Sequence, residues 1–229
     1  MERIRNKGNS SLLLQLAERV GTAGEMRNPH PFRLQPVTQP SLNVVEMSAV
    51  SRAVTDVGDA VLEIKTVKDF FKMNGRATAI EMKPGLCNDN AIEQWNLSVF
   101  SKLRELVVGD NCLQFVRGLK LVGFVSLERV AIGLKCMCES EGCLEVSDCG
   151  ALRSVVIGCG CCVKWSAFVM RNCDSIQEVS IGDGCFVNCE NTVFENLSAL
   201  TKLTVGKESF RGDEKKSALV MKSECFERE

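Results

Sequence analysis

Thirteen cysteines are the residues of this 229-residue chain best able to do chemistry. Eight of them, Cys136, Cys138, Cys143, Cys149, Cys159, Cys161, Cys162 and Cys173, crowd into one stretch. Thiolates bind zinc, form disulfides and sense oxidants. Structural zinc sites normally use C-x2-C pairs, and no such pair is read here. The density also falls short of a small disulfide scaffold, and the chain is long enough to fold without staples. Three uses stay open: buried structural thiols, a zinc or redox site, and disulfides. Residues 1–7 are basic, but the apolar stretch at 12–17 is short for a secretion signal and is broken by Glu18 and Arg19. A reducing, cytoplasmic setting is therefore expected.

Other chemistry is sparse. The chain has one histidine, His30, and no tyrosine. No nucleophile stands at a recognisable spacing from a base, and no carboxylate pair suggests acid–base work. Gly158-Cys-Gly160 and Gly182-Asp-Gly184 lack the further glycine and the lysine of a phosphate loop. Arg211-Gly212-Asp213 reads as a chance tripeptide in a charged loop. Asn96-Leu-Ser98 and Asn196-Leu-Ser198 match the glycosylation pattern, but beside columns expected to point inward. No catalytic, cofactor-binding or metal residue is expected, so the chain reads as a non-enzyme. The balance of 28 Lys+Arg against 29 Asp+Glu argues against a nucleic-acid partner. No apolar run reaches the roughly 18 residues of a membrane span.

The elements that position the cysteines come from a repeat. Five segments align: Leu103-Arg-Glu-Leu106-Val-Val108-Gly109, Leu127-Glu-Arg-Val130-Ala-Ile132-Gly133, Leu152-Arg-Ser-Val155-Val-Ile157-Gly158, Ile176-Gln-Glu-Val179-Ser-Ile181-Gly182 and Leu200-Thr-Lys-Leu203-Thr-Val205-Gly206. Their glycines lie 24, 25, 24 and 24 residues apart, the mark of a solenoid or array. Three residues on stand Cys112, Cys136, Cys161, Cys185 and Ser209, then Leu113, Met137, Cys162, Phe186 and Phe210. Upstream columns hold Phe100, Phe124, Cys149, Cys173 and Leu197, and before them Leu97, Leu121, Val146, Met170 and Phe194. All are apolar or small, so they are expected inside. The columns account for most of the cysteines as small buried hydrophobes. Cys159-Gly-Cys161-Cys162 is the group expected to be exposed.

The period-two pattern in a β-branched context predicts a short strand in each coil, stacked into a parallel sheet. The following glycine predicts a positive-φ turn or a close backbone approach. Ile80-Glu-Met82 with Cys87 reads as an earlier coil. Leu219-Val-Met221 with Cys225 reads as a last one, reached after 16 residues instead of 24. With nothing capping it, that coil is expected to favour self-association through its open edge.

Upstream organisation is less regular. Residues 1–40 read as a tail, with a short helix at 12–20 capped by Ser11 and a proline-rich linker at 27–41. Residues 41–75 read either as a helical cap, with Asp59 capping a helix from Ala60 to about Met73, or as degenerate coils; Thr55-Asp-Val-Gly-Asp59 resembles a worn repeat. Residues 76–229 form the solenoid.

Stacking places equivalent residues of neighbouring coils about 4.8 Å apart. Arg104, Glu128 and Arg153 then alternate in sign along one column; Glu105 with Arg129, and Glu178 with Lys202, do so in the next. Opposite charges across strands stabilise by roughly 0.2–1 kcal/mol each. The ladders either support stacking or form a binding face. On the second reading Arg104, Glu105, Glu128, Arg129, Arg153, Ser154, Gln177, Glu178 and Lys202 contact a partner, together with positions 107, 131, 156, 180, 201 and 204.

The columns L-x-x-V-x-I-G-x-x-C/S-F, led by F/L-x-x-C/L-x-x-L, resemble leucine-rich repeats of the BspA-like type over about residues 76–226. The resemblance implies a leucine-rich-repeat solenoid of stacked β-rich coils, here of about 24 residues, and the residues upstream add a partly helical N-terminal segment. It also implies adhesion or protein binding, in many relatives at a cell surface. The expected function is a non-enzymatic protein–protein interaction module. The alternatives are a thiol redox or zinc-binding protein, and a surface adhesion-type repeat protein.

Overall fold

A computed structural model describes residues 4–5, 33–34, 60–72, 75–212 and 217–222. The repeat builds two parallel sheets that face each other across one apolar core. The first sheet takes the repeat-motif strand of each coil: β3 (Val61–Ile64), β4 (Ala79–Met82), β5 (Glu105–Val108), β7 (Arg129–Ile132), β9 (Ser154–Ile157), β11 (Glu178–Ile181) and β13 (Lys202–Val205). The second takes β6 (Gly118–Val122), β8 (Cys143–Ser147), β10 (Ala167–Arg171), β12 (Asn191–Glu195) and β14 (Ala218–Lys222). Together they make a parallel β-solenoid of about six coils.

Register follows the repeat. Glu105, Arg129, Ser154, Glu178 and Lys202 lie side by side, as do Val108, Ile132, Ile157 and Ile181. Leu106, Val130, Val155, Val179 and Leu203 point inward and are buried. From the other side come Leu121, Val146, Met170 and Phe194. Towards the last coils aromatics fill the core. Phe186 stacks on Phe210 at 5.1 Å, and Phe168 meets both edge-on at 5.2 and 5.5 Å.

The repeat glycine serves close approach. A Cβ on Gly158 would stand 2.7 Å from the Gly133 carbonyl oxygen, and one on Gly182 would stand 2.8 Å from the Gly158 carbonyl carbon. The left-handed conformation falls elsewhere, on Asn111, Lys135, Gly160, Gly184 and Glu208, and on the buried Leu113, Met137, Cys162, Phe186 and Phe210. At the opposite corner it falls on Asp148, Asn172 and Asn196, residue types that tolerate it. Asn196 Nδ2 donates to Asn172 Oδ1 and Asn172 Nδ2 to Asp148 Oδ1, both at 2.8 Å, making a side-chain ladder up that corner.

Three expectations need correction. Ala60 to Met73 is not one helix capped by Asp59. Val61–Ile64 pairs with β4 as a strand, because its alternation suits a sheet position. A five-residue helix, α1 (Val67–Phe71), follows with Thr66 as its cap: Thr66 N donates to Asp69 Oδ2 at 2.9 Å and Asp69 N to Thr66 Oγ1 at 3.4 Å. Residues 60–82 are thus a shortened coil. Leu219 and Met221, second, do not repeat the first-sheet strand. They pair with Thr192 and Phe194 in the second sheet, which explains the 16-residue step. Third, the last strands are not bare: β1 (Ile4–Arg5) pairs antiparallel with β14, and β2 (Arg33–Leu34) pairs parallel with β13. The expected helix at 12–20, the Thr55–Asp59 motif and Cys225 lie outside the described residues.

Candidate interaction surface and thiol columns

The charge columns meet as the register requires. Arg104 Nη2 lies 2.9 Å from Glu128 Oε1, Lys202 Nζ 2.6 Å from Glu178 Oε1, and Arg129 Nη1 3.7 Å from Glu105 Oε1. These side chains are partly exposed, Arg129 least at 18%, so each pair contributes about 1 kcal/mol or less. Arg153 and Gln177 are exposed and Ser154 half-buried. Arg153 has no ion-pair partner among the described residues. The structure therefore brings all nine expected contact residues onto one face, six of them already paired with each other. The adjoining row departs from expectation: Val107, Ala131, Val156, Ser180 and Thr204 are at most 9% exposed. They are small or β-branched residues within strands, and they offer a partner little area.

The twelve described cysteines are all free thiols. Those of the turn column make a repeated hydrogen bond. Cys112 Sγ donates to Lys83 O at 3.2 Å, Cys136 to Gly109 O at 3.1 Å, Cys161 to Gly133 O at 2.9 Å and Cys185 to Gly158 O at 3.0 Å. Ser209 Oγ does the same to Gly182 O at 2.8 Å. The sulfur or oxygen also accepts from the preceding coil: Cys136 N donates to Cys161 Sγ at 3.3 Å and Cys185 N to Ser209 Oγ at 3.0 Å. Each side chain thus satisfies one carbonyl and, at these sites, one N–H that the strand ladder leaves over. In the second column Cys149 Sγ donates to Leu121 O at 3.3 Å.

Burial raises several of the thiols. It pushes Cys87 and Cys112 up to about 11, and pushes the wholly enclosed Cys162 well above the ordinary thiol range. Cys161 is raised by its hydrogen-bonded neighbours Cys136 and Cys185, and by burial. Cys161 and Cys162 are therefore not exposed, contrary to expectation, because both occupy inward columns. The half-exposed thiols are Cys138, Cys143 and Cys159. Cys159 and Cys162 do stand in C-x2-C spacing, a pair the sequence reading passed over, but one faces out and the other in. Among the described residues no three His, Cys, Asp or Glu side chains converge on a metal-sized site.

Asn96 and Asn196 are both exposed, each beside a buried leucine, Leu97 and Leu197 respectively, of two different columns. Arg211 pairs with Glu208 at 2.7 Å, and Asp213 lies outside the described residues. No described helix is long and apolar enough to cross a membrane. Sequence reasoning missed the second sheet. Its signal was present in the alternating pairs Leu119/Leu121, Leu144/Val146 and Phe168/Met170, of which only the second members were read as a column. Comparison with protein-family models, with curated proteins and with solved structures finds no match.

Proposed function

We propose that the chain is a non-enzymatic protein–protein interaction module, and that a partner docks on the outer face of the first sheet. One observation carries the reading: nine polar and charged side chains from five successive coils share that face, with Arg153 unpaired at its centre. Solenoids present extended surfaces of this kind to partners. The 24-residue columns support the resemblance to BspA-like leucine-rich repeats, which implies adhesion or protein binding. The thiol reading is weaker, because most thiols are buried and hydrogen-bonded to backbone.

Charge reversal tests the face. Arg153→Glu and Arg129→Glu should each weaken capture of a partner identified by affinity purification, with melting temperature within a few degrees of the parent. Lower melting temperature with unchanged capture makes the columns purely structural and removes this surface.

A further inference from the structure

The second sheet ends at β6, while the first runs on through β4 and β3. Residues 94–98 stand 24 before β6, and Trp95 and Leu97 keep its inward pattern and are buried. Yet they form no strand. Asn96 Oδ1 accepts from Ser98 N at 2.9 Å, a local turn that competes with ladder pairing. The two segments stay pinned at one end, where Arg117 N donates to Glu93 O at 2.9 Å and Arg117 Nη2 meets Glu93 Oε1 at 3.1 Å. Beyond that pin they part, leaving a cleft of about 520 Å³ lined by Gln94, Asn96 and Ser98 on one side and Gly118, Lys120 and Val122 on the other.

The far wall of the cleft is an open strand edge. Gly123 N donates towards β8, to Ser147 O at 2.9 Å. Backbone groups alternate along a strand, so those of Leu121 and Leu119 also face β8. The N–H and C=O groups of Gly118, Lys120 and Val122 then face the cleft. Such an edge is a template for another strand. Trp95, also in the cleft wall, has an indole Nε1 without an acceptor.

The side chains specify what fits. Lys120 is exposed and, although in register with Glu145 of β8, makes no ion pair among the described residues. Val122 is 47% exposed; Val99 and Val125, each one residue beyond a lining residue, are 55% and 71% exposed. We propose that this cleft captures an extended segment of a partner protein, added to β6 as a parallel strand, with an acidic residue opposite Lys120 and an aliphatic one two positions later opposite Val122. The inference rests on the interaction-module reading but uses a different surface, so each can fail alone.

The probe is a fluorescein-labelled hexapeptide, TVEVVT, titrated into the full chain and read by anisotropy. It should saturate, and TVKVVT should bind about fivefold more weakly, the upper range of an exposed charge pair. Lys120→Glu should invert that order. Lys120→Pro, which removes one cleft-facing N–H at an edge where proline is tolerated, should weaken TVEVVT roughly tenfold. Should that variant misfold, TVEVVT methylated on its own backbone nitrogens gives the same readout against the parent chain and should not bind. Equal binding of TVEVVT and TVKVVT, no binding at all, or full binding of the methylated peptide overturns the proposal. So does a dimer in sedimentation that excludes the peptide, since a second copy would then fill the cleft. Arg153→Glu should leave peptide binding unchanged, which separates failure here from failure of the first-sheet face.

Discussion

The turn position shared by Cys112, Cys136, Cys161, Cys185 and Ser209 needs an atom that gives one hydrogen bond and, where the preceding coil presents an N–H, takes another. Sulfur and oxygen both qualify; carbon does not. Cys185→Ser should therefore keep stability within about 1 kcal/mol, while Cys185→Ala should cost about 1–3 kcal/mol by stranding the Gly158 carbonyl. Chemical unfolding in urea under reducing conditions measures both. Glycine divides in the same way. Gly184→Ala, at φ +65° with open space around it, should cost about 1–2 kcal/mol. Gly158→Ala, with backbone 2.7 Å from the new carbon, should cost more than about 3 kcal/mol or prevent folding. The repeat hints at this distinction, because the column of Gly158 is glycine in all five coils while that of Gly184 also holds Asn111, Lys135 and Glu208. The reason, the stacked backbone, is visible only in the structure. The cysteine columns were legible as inward. Their hydrogen-bonding task was visible only in the exchange of Ser209 into the column. Burial also fixes a pH response. Cys87 and Cys112 lose their protons near 11 in the folded chain and near 9 when unfolded. Between those values the unfolded chain has released protons that the fold retains, so the contribution of these two thiols to stability falls as pH rises through that window and is level below it. The urea midpoint should drop across it, and Cys112→Ser should flatten the drop.

Strands of the first sheet were readable because L-x-x-V-x-I repeats with little drift over five coils. The second sheet was harder. Its strands mix Lys120, Glu145 and Arg171 with apolar residues, and no glycine marks their ends uniformly. Helix α1 was readable only in part. Its Thr66–Asp69 capping box is a sequence signal, but Val61 to Ile64 mimics helical spacing while serving as a strand. The gap beside β6 was not legible at all. Trp95 and Leu97 hold the strand pattern, and what separates the segment from β6 is the side-chain turn at Asn96. Asn96→Val removes that turn and suits a strand. It should therefore extend the second sheet by one strand and close the cleft, read as hydrogen-exchange protection at residues 118, 120 and 122.

Over the whole molecule, each coil leans only on its neighbours, so stability should vary along the axis and not between sheets. Amide exchange should be slowest in β7 to β11, at the middle of the stack, and faster in β3 and β14 towards its ends. Uniform protection from end to end would instead mean a single cooperative unit. The turn chemistry has a further consequence, for how such a chain can change in length. Excision of residues 159–182 would join Gly158 to Asp183 and set Cys185 against the Gly133 carbonyl, a junction of the same kind as the one lost. Recombination between copies can thus add or delete whole rungs without inventing a new joint, and the distance between the two ends of the protein becomes an inherited quantity counted in steps of about 4.8 Å.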